Sequence, residues 1–154
     1  MTGKVITAFI DGACRGNPGP AACATVLTCD DVVLVKAGRF LGNSTNNRAE
    51  YSGLLLALEK AAQFEHCVDI IVKTNSQLIA RQVRGVYKIK DPEMKRLNDK
   101  AQELIAARFK SFKIIEVPRA ENNIADNLAN RSLDKAKEKG LVSSGTKAEF
   151  IFDD

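Results

Sequence analysis

The sequence predicts an α/β fold in which helices cover a sheet of five strands. Three short β-type runs come first, and helical and β-type patterns then alternate along the chain. The length of 154 residues suits one domain with a sizeable core. Apolar residues make up 45% and charged residues 27%, a balance that excludes disordered and fibrous classes.

The first strand is predicted over residues 4–10, an apolar run rich in β-branched side chains that ends at Asp11. Turn-forming residues follow, and two further strands are predicted over residues 22–27 and 32–40. Together these strands favour an antiparallel meander. A polar loop is expected over residues 41–47 before the chain becomes helical.

In the second part, apolar residues from Tyr51 to Ala62 recur every three or four positions, which predicts a helix. The elements predicted after it are a strand over residues 68–72, a helix over 77–83, a helix starting at Asp91-Pro92, a strand over 112–117 and a helix over 122–139. We place the domain at residues 1–139. Residues 140–154 form a C-terminal tail in which alternating Ala148, Phe150 and Phe152 favour a short edge strand.

The net charge of +4 is concentrated between residues 79 and 100, where basic residues outnumber acidic ones. A solvated helix face and a phosphate-binding patch both explain this. Four cysteines without a CxxC pair and a single histidine, His66, disfavour zinc sites and histidine-dependent nucleophilic catalysis. No segment is long and apolar enough to span a membrane, and the N-terminal residues lack a signal-peptide pattern, so a cytoplasmic location without membrane contact is expected.

Four polar residues lie at positions where they can converge. Asp11 ends the first predicted strand and Asn75 the fourth, while Glu50 and Asp126 lie near the starts of two helices. A charge favoured by the helix dipole is an alternative for the two helical residues. Converging carboxylates need cations, and hard oxygen ligands select Mg²⁺ or Mn²⁺. Two such ions roughly 4 Å apart suit in-line phosphoryl displacement.

Four segments of the chain resemble type 1 ribonuclease H, in order and at fitting spacing. They are FIDG with GNPGP at residues 9–12 and 16–20, TNNRAE at 45–50, TNSQ at 74–77 and IADNLA at 124–129. The resemblance covers roughly residues 4–137 and implies a five-stranded mixed sheet, with three antiparallel strands followed by parallel ones. It implies a monomer that hydrolyses the RNA strand of RNA/DNA hybrids with two Mg²⁺ ions, or Mn²⁺ in their place, leaving 5′-phosphate and 3′-hydroxyl ends.

By the same resemblance, Asp11, Glu50, Asn75 and Asp126 correspond to the metal-binding and catalytic quartet. The substrate contacts carried over are Asn17, Thr45, Asn46, Asn47, Gln77 and Lys90. Amide side chains can exchange hydrogen bonds with base edges and 2′-hydroxyls in a shallow minor groove. A turn-forming role for Asn17 and a helix-capping role for Asn46 are the alternatives.

Three departures from the family pattern matter. The family has Asp at the position of Asn75, and we expect an engineered substitution that leaves this chain inactive or weakened. The basic handle of some members is reduced to residues 84–90, and the chain has no Trp, so hybrid binding should be more salt-sensitive. The stretch at 117–122, VPRAEN, replaces the mobile histidine of many bacterial members, as in the short form found in archaea and some bacteria.

In that stretch Arg119 either neutralises charge on the scissile phosphate or helps the product leave, and pairing with Glu121 is the alternative. Two other functions stay open. A noncatalytic hybrid-binding module would carry a natural Asn75, and another nuclease of the wider superfamily would share the carboxylates. Activity on double-stranded RNA is also left open.

Overall fold

The computed structural model describes residues 4–154 and has a six-stranded sheet at its centre. Its strands are β1 Val5–Cys14, β2 Gly19–Cys29, β3 Val32–Ser44, β4 Asp69–Thr74, β5 Ser111–Glu116 and β6 Ala148–Ile151. Its helices are α1 Asn46–Ala61, α2 Gln77–Val83, α3 Pro92–Arg108, α4 Asn123–Glu138 and the short α5 Leu141–Ser144. A 3₁₀ turn, Arg119–Asn122, directly precedes α4.

The strand order is β5-β4-β1-β2-β3-β6. Strands β1, β2 and β3 form an antiparallel meander, whereas β4 is parallel to both β1 and β5. The predicted α/β class and the change from antiparallel to parallel pairing are confirmed. The sheet has six strands rather than five because the residues of β6 pair with β3 in antiparallel register.

Three strands are longer than the sequence predicted. Strand β2 runs over Gly19–Cys29 rather than residues 22–27. Strand β1 continues past Asp11, which pairs with Ala24, and ends at Cys14. Strand β3 continues to Ser44, so most of the loop predicted over residues 41–47 is strand. Glycine and polar residues in these segments indicated turns, but pairing with β2 satisfies their backbone groups. Asp11 therefore lies inside a strand, while Asn75 lies just beyond the end of β4.

The two faces of the sheet are covered by different helices. Ile6 and Ile10 of β1 pack in the cluster that contains Leu54 and Leu58 of α1, together with residues of α2 and α3. Successive side chains of a strand point to opposite faces of the sheet. The residues of β1 that alternate with Ile6 and Ile10 therefore lie on the other face, where Phe9 packs with Leu128 of α4. Within residues 4–154, no helix has the length and hydropathy needed to cross a bilayer.

Candidate active site

Asp11 is a buried carboxylate on β1, only 5% exposed. Asp11 follows Phe9 by two residues in the strand, so its side chain lies on the same face of the sheet, which α4 covers. Its Oδ1 accepts a hydrogen bond of 2.9 Å from the backbone N–H of Gly12. Burial raises the pKa of Asp11 to about 6, a hydrogen bond from Glu50 lowers it in part, and Asp126 raises it further. Asp11 therefore lies in a site where negative charge is unfavourable.

Glu50 lies in the second turn of α1 and is 9% exposed. Its Oε1 accepts a hydrogen bond of 3.1 Å from the same N–H of Gly12, and its Oε2 is buried without a partner in the described part of the chain. Burial raises the pKa of Glu50 well above its usual range, and contact with Asp11 raises it further. The two carboxyl groups thus share one backbone donor and leave one buried oxygen unsatisfied.

Gly12 explains how α1 comes this close to β1. A Cβ atom on Gly12 would lie 2.7 Å from the backbone nitrogen of Glu50 and 2.8 Å from the Cβ of Ala49. Real side chains do not tolerate such distances, so only glycine permits this approach. The helix backbone can therefore place Glu50 directly against the strand that carries Asp11.

Asn75 follows β4 and is held by Asn122 from the 3₁₀ turn. The Nδ2 of Asn122 donates to the Oδ1 of Asn75 at 3.1 Å and to the carbonyl oxygen of Ile10 at 2.7 Å. Ile10 directly precedes Asp11 in β1. Position 75 is therefore tied to the same part of β1 as the two buried carboxylates.

Asp126 lies in the first turn of α4 and is partly exposed. It contacts Asp11, whose pKa it raises through a hydrogen bond and through its charge. Asp11 interacts with both Glu50 and Asp126. In the part of the chain that the structure describes, no three acidic, histidine or cysteine side chains form a ready-made ligand group.

The predicted substrate residues Asn17, Thr45, Asn46 and Asn47 lie next to one another. The side chain of Thr45 caps α1 by accepting from the backbone N–H of Arg48 at 3.3 Å, so Asn46 is not the cap. The Oδ1 of Asn17 accepts from the backbone N–H of Asn46 at 3.1 Å. Asn17, Asn46 and Asn47 are exposed, so this hydrogen bond holds the β1–β2 turn against the start of α1 and leaves amide groups facing solvent.

The remaining predicted residues lie around this region on separate segments. Gln77 is the exposed first residue of α2, and Lys90 is exposed before α3. Arg119 is exposed in the 3₁₀ turn and, within residues 4–154, forms no ion pair with Glu121. Among the described residues, no hydrogen bond joins any of these three side chains to the buried carboxylates.

Sequence reasoning missed three features of this region. One is the bridging role of Asn122, although an Asn directly before a helix is a recognisable signal. Another is the close approach at Gly12. The third is a two-hydrogen-bond ion pair between Arg48 of α1 and Asp91, the cap of α3, at 2.8 and 2.9 Å. This pair fixes the segment that carries Lys90 against the start of α1.

Comparison with known proteins gives a consistent result. Residues 9–132 match the family described as Reverse transcriptase-like. The chain is 44% identical over 135 residues to Ribonuclease HI of Halobacterium salinarum, covering 87% of this chain and 67% of that protein. The crystal structure of RNase H1 from the same archaeon has a TM-score of 0.81 and covers 86% of this chain and 99% of that chain.

Two further relatives are similar. LC11-RNase H1 in complex with an RNA/DNA hybrid is 39% identical, with a TM-score of 0.82 over 86% of this chain and 99% of that chain. Bifunctional protein Rv2228c of Mycobacterium tuberculosis is 38% identical over 136 residues, which cover 87% of this chain and 37% of that protein. Since these matches extend over most of the fold, the chain belongs to the type 1 ribonuclease H family.

Proposed function

We propose that the site formed by Asp11, Glu50, position 75 and Asp126 serves hydrolysis of the RNA strand of RNA/DNA hybrids, leaving 5′-phosphate and 3′-hydroxyl ends. We also propose that Asn75 leaves the chain, as it stands, with little or no activity. The observation that carries this proposal is the pair of buried carboxyl groups, Asp11 and Glu50, that share the N–H of Gly12. Such a pair is unfavourable in its ionised form unless a cation or a bound proton compensates the charge.

The donor set fits Mg²⁺ or Mn²⁺. Glu50 offers a buried oxygen that has no hydrogen-bond partner among the described residues, and burial raises the pKa of both Asp11 and Glu50. Hard carboxylate oxygens without cysteine or histidine select these ions over zinc. Two ions, when bound, would supply positive charge that stabilises the negative charge on the scissile phosphate. Asp11 and Glu50 would hold them from β1 and α1, Asp126 from α4, and position 75 from the end of β4.

The exposed residues around the carboxylates suit a nucleic acid of A-like shape. Asn17, Asn46, Asn47 and Gln77 present amide groups that can read 2′-hydroxyls and base edges in a minor groove. Thr45 positions this group as the cap of α1. A solved structure with 39% identity, LC11-RNase H1, contains an RNA/DNA hybrid, which supports the same ligand here.

Basic residues supply the sequence-independent part of binding. Lys90 is exposed on a segment that Asp91 fixes to Arg48, so its ammonium group can follow a phosphate backbone. Arg119 is exposed and unpaired with Glu121, which leaves its guanidinium free to neutralise phosphate charge near the carboxylates. We propose that one protomer carries out both tasks as a monomer.

Asn75 also supports a second function, noncatalytic hybrid binding. Its single side-chain oxygen already accepts a hydrogen bond from Asn122, and it carries no charge to attract an ion. A natural Asn75 would therefore leave the substrate surface intact while removing one ligand. Sequencing the parent gene distinguishes this from an engineered change.

The test is the reversion Asn75→Asp, assayed on labelled RNA/DNA hybrid, double-stranded RNA and double-stranded DNA with Mg²⁺, Mn²⁺ or EDTA. We expect metal-dependent cleavage confined to the RNA strand of the hybrid, with products that carry a 5′-phosphate. Asn98→Asp on α3 adds the same charge elsewhere and should leave the chain inactive. A reverted protein that binds the hybrid without cleaving it would instead support the binding module.

A further inference from the structure

Asn122 is a buried polar side chain near the carboxylates, at 1% exposure. It ends the 3₁₀ turn and directly precedes α4. Both acceptors of its Nδ2 come from other elements, the backbone of Ile10 in β1 and the side chain of Asn75 after β4. One amide group therefore joins three chain segments that are distant in sequence.

Each of these segments carries a residue of the carboxylate site. Ile10 precedes Asp11, position 75 is itself a member, and Asp126 lies four residues, one helical turn, after Asn122. The amide of Asn122 cannot be reversed, because its oxygen would then face the oxygens of both Ile10 and Asn75. Among residues 4–154 its own Oδ1 is buried without a partner, which makes this side chain costly to bury.

We propose that Asn122 is a positioning residue that sets the orientation of the side chain at position 75 and so determines whether that side chain can complete a Mg²⁺ site. This proposal rests on the function proposed above. In this chain the hydrogen bond from Asn122 engages the only side-chain oxygen of Asn75, which leaves the amide NH₂, a group that cannot bind a cation. An Asp at position 75 has two oxygens, so one accepts from Asn122 and the other is free to bind an ion.

The competing explanation is that Asn122 only stabilises the fold. Ser132 serves as an example of such a residue. Ser132 is also a buried polar residue of α4, but its hydroxyl donates within the helix to the carbonyl oxygen of Leu128. Loss of that hydroxyl should affect stability alone. Loss of the Asn122 amide should affect metal binding as well, because position 75 loses the donor that orients it.

The experiment uses the Asn75→Asp protein with either Asn122→Ala or Ser132→Ala added. The metal dependence is measured as the rise in Tm with increasing Mg²⁺, and hybrid cleavage gives kcat and KM. Since loss of a group that orients a metal ligand lowers affinity or activity by roughly 10- to 100-fold, we expect a change of that size in the half-saturating Mg²⁺ concentration and in kcat for Asn122→Ala. KM for the hybrid should stay nearly unchanged, and Ser132→Ala should alter neither parameter.

The outcomes separate this inference from the proposed function. If Asn122→Ala lowers Tm but leaves the Mg²⁺ dependence and kcat unchanged, the role is structural and the inference is wrong. If Mg²⁺ raises the Tm of Asn75→Asp and Asn122→Ala weakens this effect, but the hybrid is not cleaved, the inference stands and the proposed function fails. If Asn75→Asp shows no Mg²⁺-dependent rise in Tm, both are overturned. Should Asn122→Ala fail to fold, Asn122→Leu, which removes the donor but keeps the size of the side chain, replaces it in the same measurements.

Discussion

Replacement of Asp11 by Asn should stabilise the metal-free protein at neutral pH. Asp11 is buried and lies against Glu50 and Asp126, so its negative charge opposes folding. Asn has nearly the same shape, and its Oδ1 can still accept the hydrogen bond from the N–H of Gly12. The substitution therefore removes a charge while it keeps the local hydrogen bond.

The size of the gain follows from the pKa of Asp11, which is raised from 3.8 to about 6 in the folded protein. Each pKa unit corresponds to about 1.36 kcal/mol of preference for the protonated form, so the charged carboxylate destabilises the fold by up to about 3 kcal/mol. For a chain of this size, 1 kcal/mol changes Tm by about 2–4 °C. The expected rise in Tm is thus up to about 6–12 °C.

The gain must depend on pH in a defined way. Well below pH 4 the carboxyl group of Asp11 is protonated in both the folded and the unfolded state, and Asn brings no advantage. Between pH 4 and pH 6 the folded protein binds more protons than the unfolded chain, so its stability falls as the pH rises. Above pH 6 to 7 the destabilisation is complete, and the advantage of Asn is greatest.

Urea denaturation in EDTA at pH 4 and pH 7.5 measures this difference. Asp99→Asn, at an exposed position on α3, is the matched control and should leave stability nearly unchanged at both values. If Asp11→Asn is no more stable than the unsubstituted chain at pH 7.5, the reasoning is refuted. An equal gain in the free energy of unfolding at pH 4 would also refute the reasoning, because removal of the charge could not explain it.

Three further substitutions test the packing around the site by urea denaturation. Gly12→Ala should lower the free energy of unfolding by about 1–3 kcal/mol, because the new Cβ meets backbone atoms of α1. Tyr51→Phe should lower it by about 1–2 kcal/mol, because the buried Oε1 of Gln82 loses its donor. Phe152→Ala should lower it by about 3–4 kcal/mol, because the ring packs with Leu128 of α4.

Two of these substitutions have a control. Tyr87→Phe removes a more exposed hydroxyl, and Asp153→Ala removes an exposed neighbour of Phe152. A control that destabilises as much as its partner would contradict the assigned contact. A small effect of Phe152→Ala would show that the tail contributes little to the folded domain.

The order of helices and strands was predictable because hydrophobic periodicity and helix caps are local signals. Asp91-Pro92 indicated the start of α3, and the alternation at residues 148–152 indicated β6. The length of β1 and β3 was not predictable, because their polar and glycine residues are extended only through pairing with β2. That pairing joins residues distant in sequence, so no local pattern contains it.

The candidate site was predictable in part. The positions of Asp11, Glu50 and Asp126 in their elements indicated that their carboxyl groups meet, and the structure joins them through Asp11. The bridge from Asn122 to Ile10 and Asn75 was not predictable, because it depends on how α4 docks on the sheet. The roles assigned to the quartet and to the substrate residues stay predictions.

The amide at position 75 also bears on stability. Asp11 and Glu50 already place two carboxyl groups in a buried site, and Asn75 is tied to that site through Asn122. An Asp there would add a third negative charge to the pair, so Asn75→Asp should lower Tm in EDTA. Mg²⁺ should restore the lost stability by binding the folded state alone. A reversion with unchanged Tm in EDTA would mean that position 75 is electrostatically separate from Asp11 and Glu50, contrary to a shared ion site.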